Sequence, residues 1–162
     1  MKTLLLLRHA RPSQTSPTGR DFDRPLIDAG RADARLVGQT FRQRNLAPDV
    51  IVRSPAARAR ETTDIVAEAA QLSARPRFDE RLFDAGTEQI LGIIAGIEDD
   101  AAMLLIVGHN PGLTELILRL TGASERVTPG TLAGIELDIA EWGDVRAANT
   151  RRLAFILAPG DT

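Results

Sequence analysis

The 162-residue sequence contains no cysteine. This absence excludes a disulfide framework, cysteine-ligated zinc, iron–sulfur clusters and catalysis by a thiol. Aromatic residues make up only 4% of the chain, which argues against a base-stacking surface for single-stranded nucleic acid. The formal net charge of −2 leaves no basic excess for a nucleic-acid surface either. We therefore expect no nucleic-acid partner.

Long apolar segments are also missing. No apolar run approaches the ~20 residues that a membrane-spanning helix needs. The N-terminus lacks the extended apolar region of a signal peptide. These absences predict a cytoplasmic protein with no membrane partner. A domain commonly has about 150 residues, so we expect residues 1–162 to form a single domain.

Strand and helix patterns alternate along most of the chain. The predicted strands cover residues 3–8, 50–52, 77–79, 103–107, 131–139 and 153–157, and the predicted helices cover residues 29–44, 55–70, 88–97 and a segment that opens at Pro111. Asp28 and Ser54 stand where helix caps are expected, and Pro55 stands at a first helical position. The alternation predicts an α/β protein with a parallel sheet and helices on both faces.

The chain has only two histidines, and both follow predicted strands. His9 comes directly after the first strand, and His109 comes one glycine after the strand at 103–107. Ligands of parallel α/β sheets bind beyond the carboxyl ends of the strands, where both histidines are expected. The two could be loop histidines, a catalytic pair or ligands of a metal. Zinc needs three or four ligands, and the sequence has no H-x-x-x-H or H-x-H pair.

A third strand end adds an arginine at the start of a helix. Arg58 falls about one turn into the helix predicted at 55–70, so its side chain can lean back over the N-terminal turn. Free N–H groups and the helix dipole favour an anion there, while a lone arginine is unfavourable. This conflict predicts that Arg58 binds an anion. Arg60 points to another side of the helix and is expected in solvent.

Four segments together resemble the histidine phosphatase (phosphoglycerate-mutase-like) superfamily. The sequence LRHA at 7–10 resembles its first motif, SPAARARET at 54–62 its second and VGHNP at 107–111 its third. The segment DFDRPLIDAG at 21–30 is similar to that of the small SixA-type phosphohistidine phosphatases. Each motif is weak alone, but their order at successive strand ends is specific.

The resemblance implies a three-layer α/β/α domain with a mostly parallel sheet. It also implies that His9 is the nucleophile that becomes phosphorylated, and that Arg8, Arg58 and His109 bind the phosphoryl oxygens. No metal or cofactor is required by this chemistry. Glu80 aligns best with the general acid of larger members, and Asp84 competes with it.

The chain departs from the family pattern in ways that bear on the substrate. Ala10 replaces a glycine common among relatives, and Pro12 stands where many have a hydroxyl residue. The short connection between Ala70 and Met103 leaves little room for a lid over the site. An open pocket favours a phosphorylated protein substrate, with a phosphohistidine-bearing domain as a candidate. The alternatives are a small-molecule phosphomonoesterase and a non-catalytic module that binds phosphorylated ligands.

Overall fold

A computed structural model describes residues 1–148 and 151–161. The strands are β1 (Lys2–Arg8), β2 (Val50–Arg53), β3 (Arg77–Phe78), β4 (Met103–Gly108), β5 (Leu132–Leu137) and β6 (Arg151–Leu157). The α-helices are α1 (Asp28–Gln43), α2 (Ala57–Ala70), α3 (Thr87–Ala95) and α4 (Gly112–Thr121), and short 3-10 turns cover Asp21–Asp23, Glu80–Leu82 and Trp142–Ala147. No helix within the described residues is long and apolar enough to cross a membrane.

The strands form one sheet in the order β3-β2-β4-β1-β5-β6. The first four strands in that order are parallel, while β5 runs antiparallel to both β1 and β6. The mostly parallel α/β architecture is therefore confirmed. The expectation of a parallel sheet is wrong at β5, which runs antiparallel to both of its neighbours, β1 and β6.

Apolar side chains of β1 alternate between two cores, one on each face of the sheet. Leu4 and Leu6 pack in a core that includes residues of α3 and α4. Leu5 and Leu7 pack in the other core, with residues of α1 and α2. A strand that is buried on both faces has a continuous apolar sequence, which accounts for LLLL at residues 4–7. The helices lie on both faces, as predicted.

The predicted helix starts differ from the structure in detail. Ala56, not Ser54, precedes α2, because the Ser54 N–H still donates to Val107 O of β4 (2.9 Å) and keeps that residue in extended pairing. Pro55 therefore lies before the helix. Asp28 is itself the first residue of α1 and forms an ion pair with Arg31 instead of capping the helix.

Three neighbouring strands bring their carboxyl ends to one edge of the sheet. Arg8 of β1 lies beside Gly108 of β4, and Arg53 of β2 lies beside Val107. The residues that directly follow these strands are His9, His109 and Ser54. The register of β1, β4 and β2 thus places these three side chains together.

Candidate active site

The backbone that carries His9 is held from three directions. The His9 N–H donates to Gly108 O (3.1 Å), and the next N–H, that of Ala10, donates to Thr62 Oγ1 (3.0 Å). The Gly130 N–H donates to His9 O (3.0 Å) from a backbone with φ of +82°, a conformation that favours glycine. His9 is only 5% exposed, so its ring is fixed as well as buried.

The tautomer of His9 follows from its single ring hydrogen bond. Nδ1 lies 2.8 Å from Ala10 O, and a carbonyl oxygen only accepts, so Nδ1 carries the proton. Nε2 therefore keeps its lone pair when the ring is neutral. Burial is the main reason that the pKa of His9 is lowered to about 3. The hydrogen bond to Ala10 O raises this pKa, while His109, Arg58 and Arg8 lower it. At neutral pH the imidazole is uncharged and can act as a nucleophile.

His109 lies next to His9, with the two ring centroids 5.1 Å apart. Its Nε2 is 2.7 Å from Ser54 Oγ, which also accepts a hydrogen bond from the Ala56 N–H (3.2 Å). In the tautomer of His109 that carries its proton on Nδ1, Nε2 accepts from the Ser54 hydroxyl. Nδ1 is buried and has no partner within the described residues, so in this tautomer it is an unpaired donor.

Two arginines complete the cluster. Arg8 donates from Nη1 to Val127 O (2.9 Å), while its buried Nε has no partner in the part of the chain that the structure describes. Arg58 is 8% exposed and donates from Nη1 to Asp21 O (2.9 Å) and from Nη2 to Asp21 Oδ2 (3.2 Å). Burial and the Arg58 charge lower the pKa of Arg8. An anion bound between Arg8 and Arg58 would offset the repulsion between their positive charges.

The pKa of His109 shows the same accumulation of positive charge. Its pKa is lowered to about 4, mainly by burial and also by the charges of Arg58 and Arg8, while the Asp21 carboxylate acts in the opposite direction. Both histidines are thus neutral at physiological pH. A phosphoryl group has the charge to balance the two arginines and the oxygens to accept from the unpaired donors Arg8 Nε and His109 Nδ1.

Sequence reasoning missed three residues that support the cluster. Ser54 was expected to cap a helix, but its hydroxyl orients His109. Asp21 holds Arg58. Thr62 accepts from the Ala10 N–H and donates to Arg58 O (2.7 Å), four residues earlier on α2. The spacing of Arg58 and Thr62, one helical turn apart, was the available signal for Thr62.

The two carboxylates predicted as general acids lie on the segment after β3 that also carries Phe83. Glu80 is in the 3-10 turn Glu80–Leu82 and Asp84 follows it with φ of 56°, and both are exposed. Among the described residues, neither forms a hydrogen bond or ion pair with the histidines or arginines of the site. The nearby side chain that does contact His109 is Phe83, whose ring lies edge-on at 5.7 Å. Arg60 is exposed, as expected.

A metal centre was the alternative that the two histidines left open. In residues 1–148 and 151–161, no group of three or more histidine, aspartate or glutamate side chains is arranged to hold a metal ion. One nitrogen of each ring, Nδ1 of His9 and Nε2 of His109, has the protein partner described above.

The chain is similar to proteins of known structure over nearly its whole length. The proposed phosphohistidine phosphatase SixA from Nakamurella multipartitia is 31% identical, with a TM-score of 0.86 over 99% of this chain and 97% of that one. The proposed phosphohistidine phosphatase SixA from Agrobacterium tumefaciens is 28% identical, with a TM-score of 0.83 over 98% of each chain. An uncharacterized protein of Mycobacterium tuberculosis is 34% identical over 136 residues, 83% of this chain and 79% of that protein.

The model of the histidine phosphatase superfamily (branch 1) matches residues 4–89. This segment contains Arg8, His9 and Arg58, whereas His109 lies beyond it and joins the site through the position of β4 beside β1. The SixA-like fold and the family match agree with the resemblance in the sequence motifs. The chain belongs to the histidine phosphatase superfamily, branch 1.

Proposed function

We propose that the chain hydrolyses phosphohistidine on a protein, without a metal, through a covalent phosphoryl intermediate on His9. The observation that carries this proposal is the state of the His9 ring. Its Nδ1 proton is held by Ala10 O, its pKa is lowered to about 3, and its Nε2 is left as a neutral nucleophile among cationic groups.

In the first step, Nε2 of His9 attacks phosphorus, and the bond from phosphorus to the leaving group breaks. The charge on the equatorial oxygens of the transferring group is balanced by Arg8 and Arg58, and His109 donates to one oxygen from Nδ1. The Nδ1 hydrogen bond to Ala10 O stabilises the positive charge that the His9 ring gains. These donors are fixed before the substrate arrives, so little reorganisation is needed.

In the second step, water attacks the phosphorus on His9. The bond from phosphorus to Nε2 breaks, inorganic phosphate leaves, and the neutral imidazole is restored. The same arginines and His109 stabilise this transition state, because the phosphoryl group stays at one place while its two partners exchange. No residue outside the cluster has to move.

The expected leaving group explains why a protein phosphohistidine is the preferred substrate class. An alkyl phosphate must be protonated as it leaves, which is worth about 10²- to 10⁴-fold in rate. The imidazole of phosphohistidine leaves neutral once its ring is protonated, so it depends less on an acid. The exposed positions of Glu80 and Asp84 fit such a substrate. The similarity to the proposed SixA phosphatases supports it.

Initial rates on a phosphohistidine peptide, p-nitrophenyl phosphate and a panel of phosphorylated metabolites test the proposal. We expect the highest kcat/KM on the peptide, and we expect Arg58→Gln to lose far more activity than the matched exposed variant Arg60→Gln. A metabolite that is turned over faster than the peptide would identify a small-molecule phosphomonoesterase. Tight binding of the peptide with no release of phosphate would identify a binding module.

A further inference from the structure

Two phenylalanines form a continuous aromatic row with His109. The Phe83 ring lies edge-on to His109, with centroids 5.7 Å apart and planes at 84°. The Phe22 ring lies edge-on to Phe83 at 5.3 Å and 78°. Both phenylalanines are partly exposed, so their rings are not fully used by the protein core. We define Phe22 and Phe83 together as the aromatic rim.

The aromatic rim connects two sides of the cluster formed by His9, His109 and the two arginines. Phe83 contacts His109 on one side. Phe22 directly follows Asp21, whose carboxylate and carbonyl oxygens hold Arg58 on the other side. The Phe22–Phe83 contact therefore joins the segment beside Arg58 to the segment beside His109. A phosphoryl group held by both Arg58 and His109 would have its attached group beside these two segments.

The backbone that carries each ring is well anchored. A Cβ on Gly112 would lie 2.4 Å from Ala85 O, so the segment after Phe83 packs tightly against the start of α4. On the other segment, Arg24 Nε donates to Ser13 O at 2.7 Å. The backbone of the aromatic rim is thus held in place before a ligand binds, so binding would cost little conformational entropy.

We propose that the aromatic rim, Phe22 and Phe83, is a specificity-determining surface that contacts a flat, ring-shaped leaving group. In an in-line displacement the leaving group departs opposite to the attacking Nε2 of His9, and we place it against the aromatic rim. Two aromatic rings in offset or edge-on contact gain free energy beyond that of the apolar area they bury, and a saturated ring lacks the π-system for this gain. The imidazole of phosphohistidine and the phenyl ring of an aryl phosphate both meet this requirement. The inference rests on the proposed function, since it assumes a phosphoryl group between Arg58 and His109.

Binding of three hydrolysis-resistant phosphonates tests this surface without turnover. Phenylphosphonate, cyclohexylphosphonate and methylphosphonate share the anionic head and differ in the attached group. Calorimetry on the wild-type protein should give tighter binding of phenylphosphonate than of cyclohexylphosphonate, although the two groups are of similar size. In Phe22→Leu and Phe83→Leu the advantage of phenyl over methyl should fall by about 3- to 10-fold for each ring.

The exposed Phe78 on β3 supplies a matched control. Its ring lies over Arg53 and is 58% exposed. Phe78→Leu should therefore keep the wild-type preference for phenyl. Equal binding of phenylphosphonate and cyclohexylphosphonate by the wild type would overturn the proposal. So would an unchanged preference in both rim variants. If Phe83→Leu does not fold, Phe22→Leu and the wild-type comparison decide the result.

A kinetic comparison separates the aromatic rim from the proposed reaction. Phosphoramidate has the same type of phosphorus–nitrogen bond as phosphohistidine but carries no ring. We expect the rim variants to lose kcat/KM on the phosphohistidine peptide and on p-nitrophenyl phosphate, and to keep it on phosphoramidate. A phenyl preference in binding without hydrolysis of any substrate would contradict the proposed function and leave the rim supported. Hydrolysis of the peptide with unchanged kcat/KM in both rim variants would overturn the rim and leave the proposed function standing.

Discussion

The two buried histidines make folding stability depend on pH in a range where few other groups titrate. His9 and His109 are the only histidines in the chain, and their pKa values are lowered to about 3 and about 4 in the folded protein. An unfolded histidine has a pKa of about 6.5. Between these values the unfolded chain binds more protons than the folded protein, so stability falls as the pH decreases through 6.5.

The size of the effect follows from these pKa values. Between pH 7 and pH 5, each histidine is expected to lower the free energy of unfolding by about 2 kcal/mol, and the pair by about 4 kcal/mol. Carboxylates contribute little in this range, because their unperturbed pKa values are about 4. A loss of about 4 kcal/mol is a large part of the 5–15 kcal/mol that is typical for a folded domain.

Urea denaturation at pH 7, 6 and 5 measures this loss. The buffers must contain no phosphate or sulfate, because an anion bound at the cluster would stabilise the folded state by mass action. The matched control is the double variant His9→Asn, His109→Gln. Asparagine keeps a donor near Ala10 O, glutamine keeps a polar group near Ser54, and neither residue titrates.

We expect the wild-type free energy of unfolding to drop from pH 7 to pH 5 and that of the double variant to stay nearly level. Each single variant should lose about half as much as the wild type. Equal slopes for the wild type and the double variant would refute the reasoning. A wild-type stability that does not change over this range would show that the histidines are not held neutral by burial.

Three further predictions concern the chemistry of the site. Ser54→Ala removes the hydrogen bond that orients His109. Because such a bond contributes ~1 kcal/mol, we expect kcat to fall about fivefold. The exposed variant Ser73→Ala is the control and should match the wild type. Glu80→Gln and Asp84→Asn should each keep kcat/KM for phosphohistidine hydrolysis within about twofold of the wild type. If one of these carboxylates is a general acid, its variant should lose about 10²-fold or more of kcat/KM on an alkyl phosphate alone. Exhaustive chelation should not change the rate and vanadate should inhibit, whereas activity lost with EDTA and restored by zinc or magnesium would reveal a metal site.

Much of the fold could be predicted from the sequence because its signals are local. The LLLL run of β1 and the apolar spacing of α1 each identify one element from neighbouring residues. The direction of β5 could not be predicted, because a strand pattern gives no information about its pairing partner. The helix starts were displaced for a related reason, since Ser54 is held in extended pairing by Val107, a residue far away in sequence.

The candidate site also contains some residues that local sequence patterns predict and others that they do not. His9, His109 and Arg58 follow strands, and the rule for the carboxyl edge of a parallel sheet was enough to predict their proximity. Asp21 acts through a contact with a residue 37 positions away, which no local pattern reveals, whereas the one-turn spacing from Arg58 was a local signal for Thr62. For Glu80, alignment to a motif predicted a general acid, and this role stays a prediction for a side chain that the structure shows to be exposed.

The covalent intermediate on His9 is the central claim, and trapping it is the most direct test. The enzyme would be mixed with a ³²P-labelled phosphohistidine peptide, quenched within milliseconds in base, and digested for mass spectrometry. We predict an acid-labile, base-stable phosphoryl group on His9, and no label in His9→Asn with the folded structure retained. Label on His109, or no label on the enzyme during a measurable burst of peptide dephosphorylation, would contradict the account.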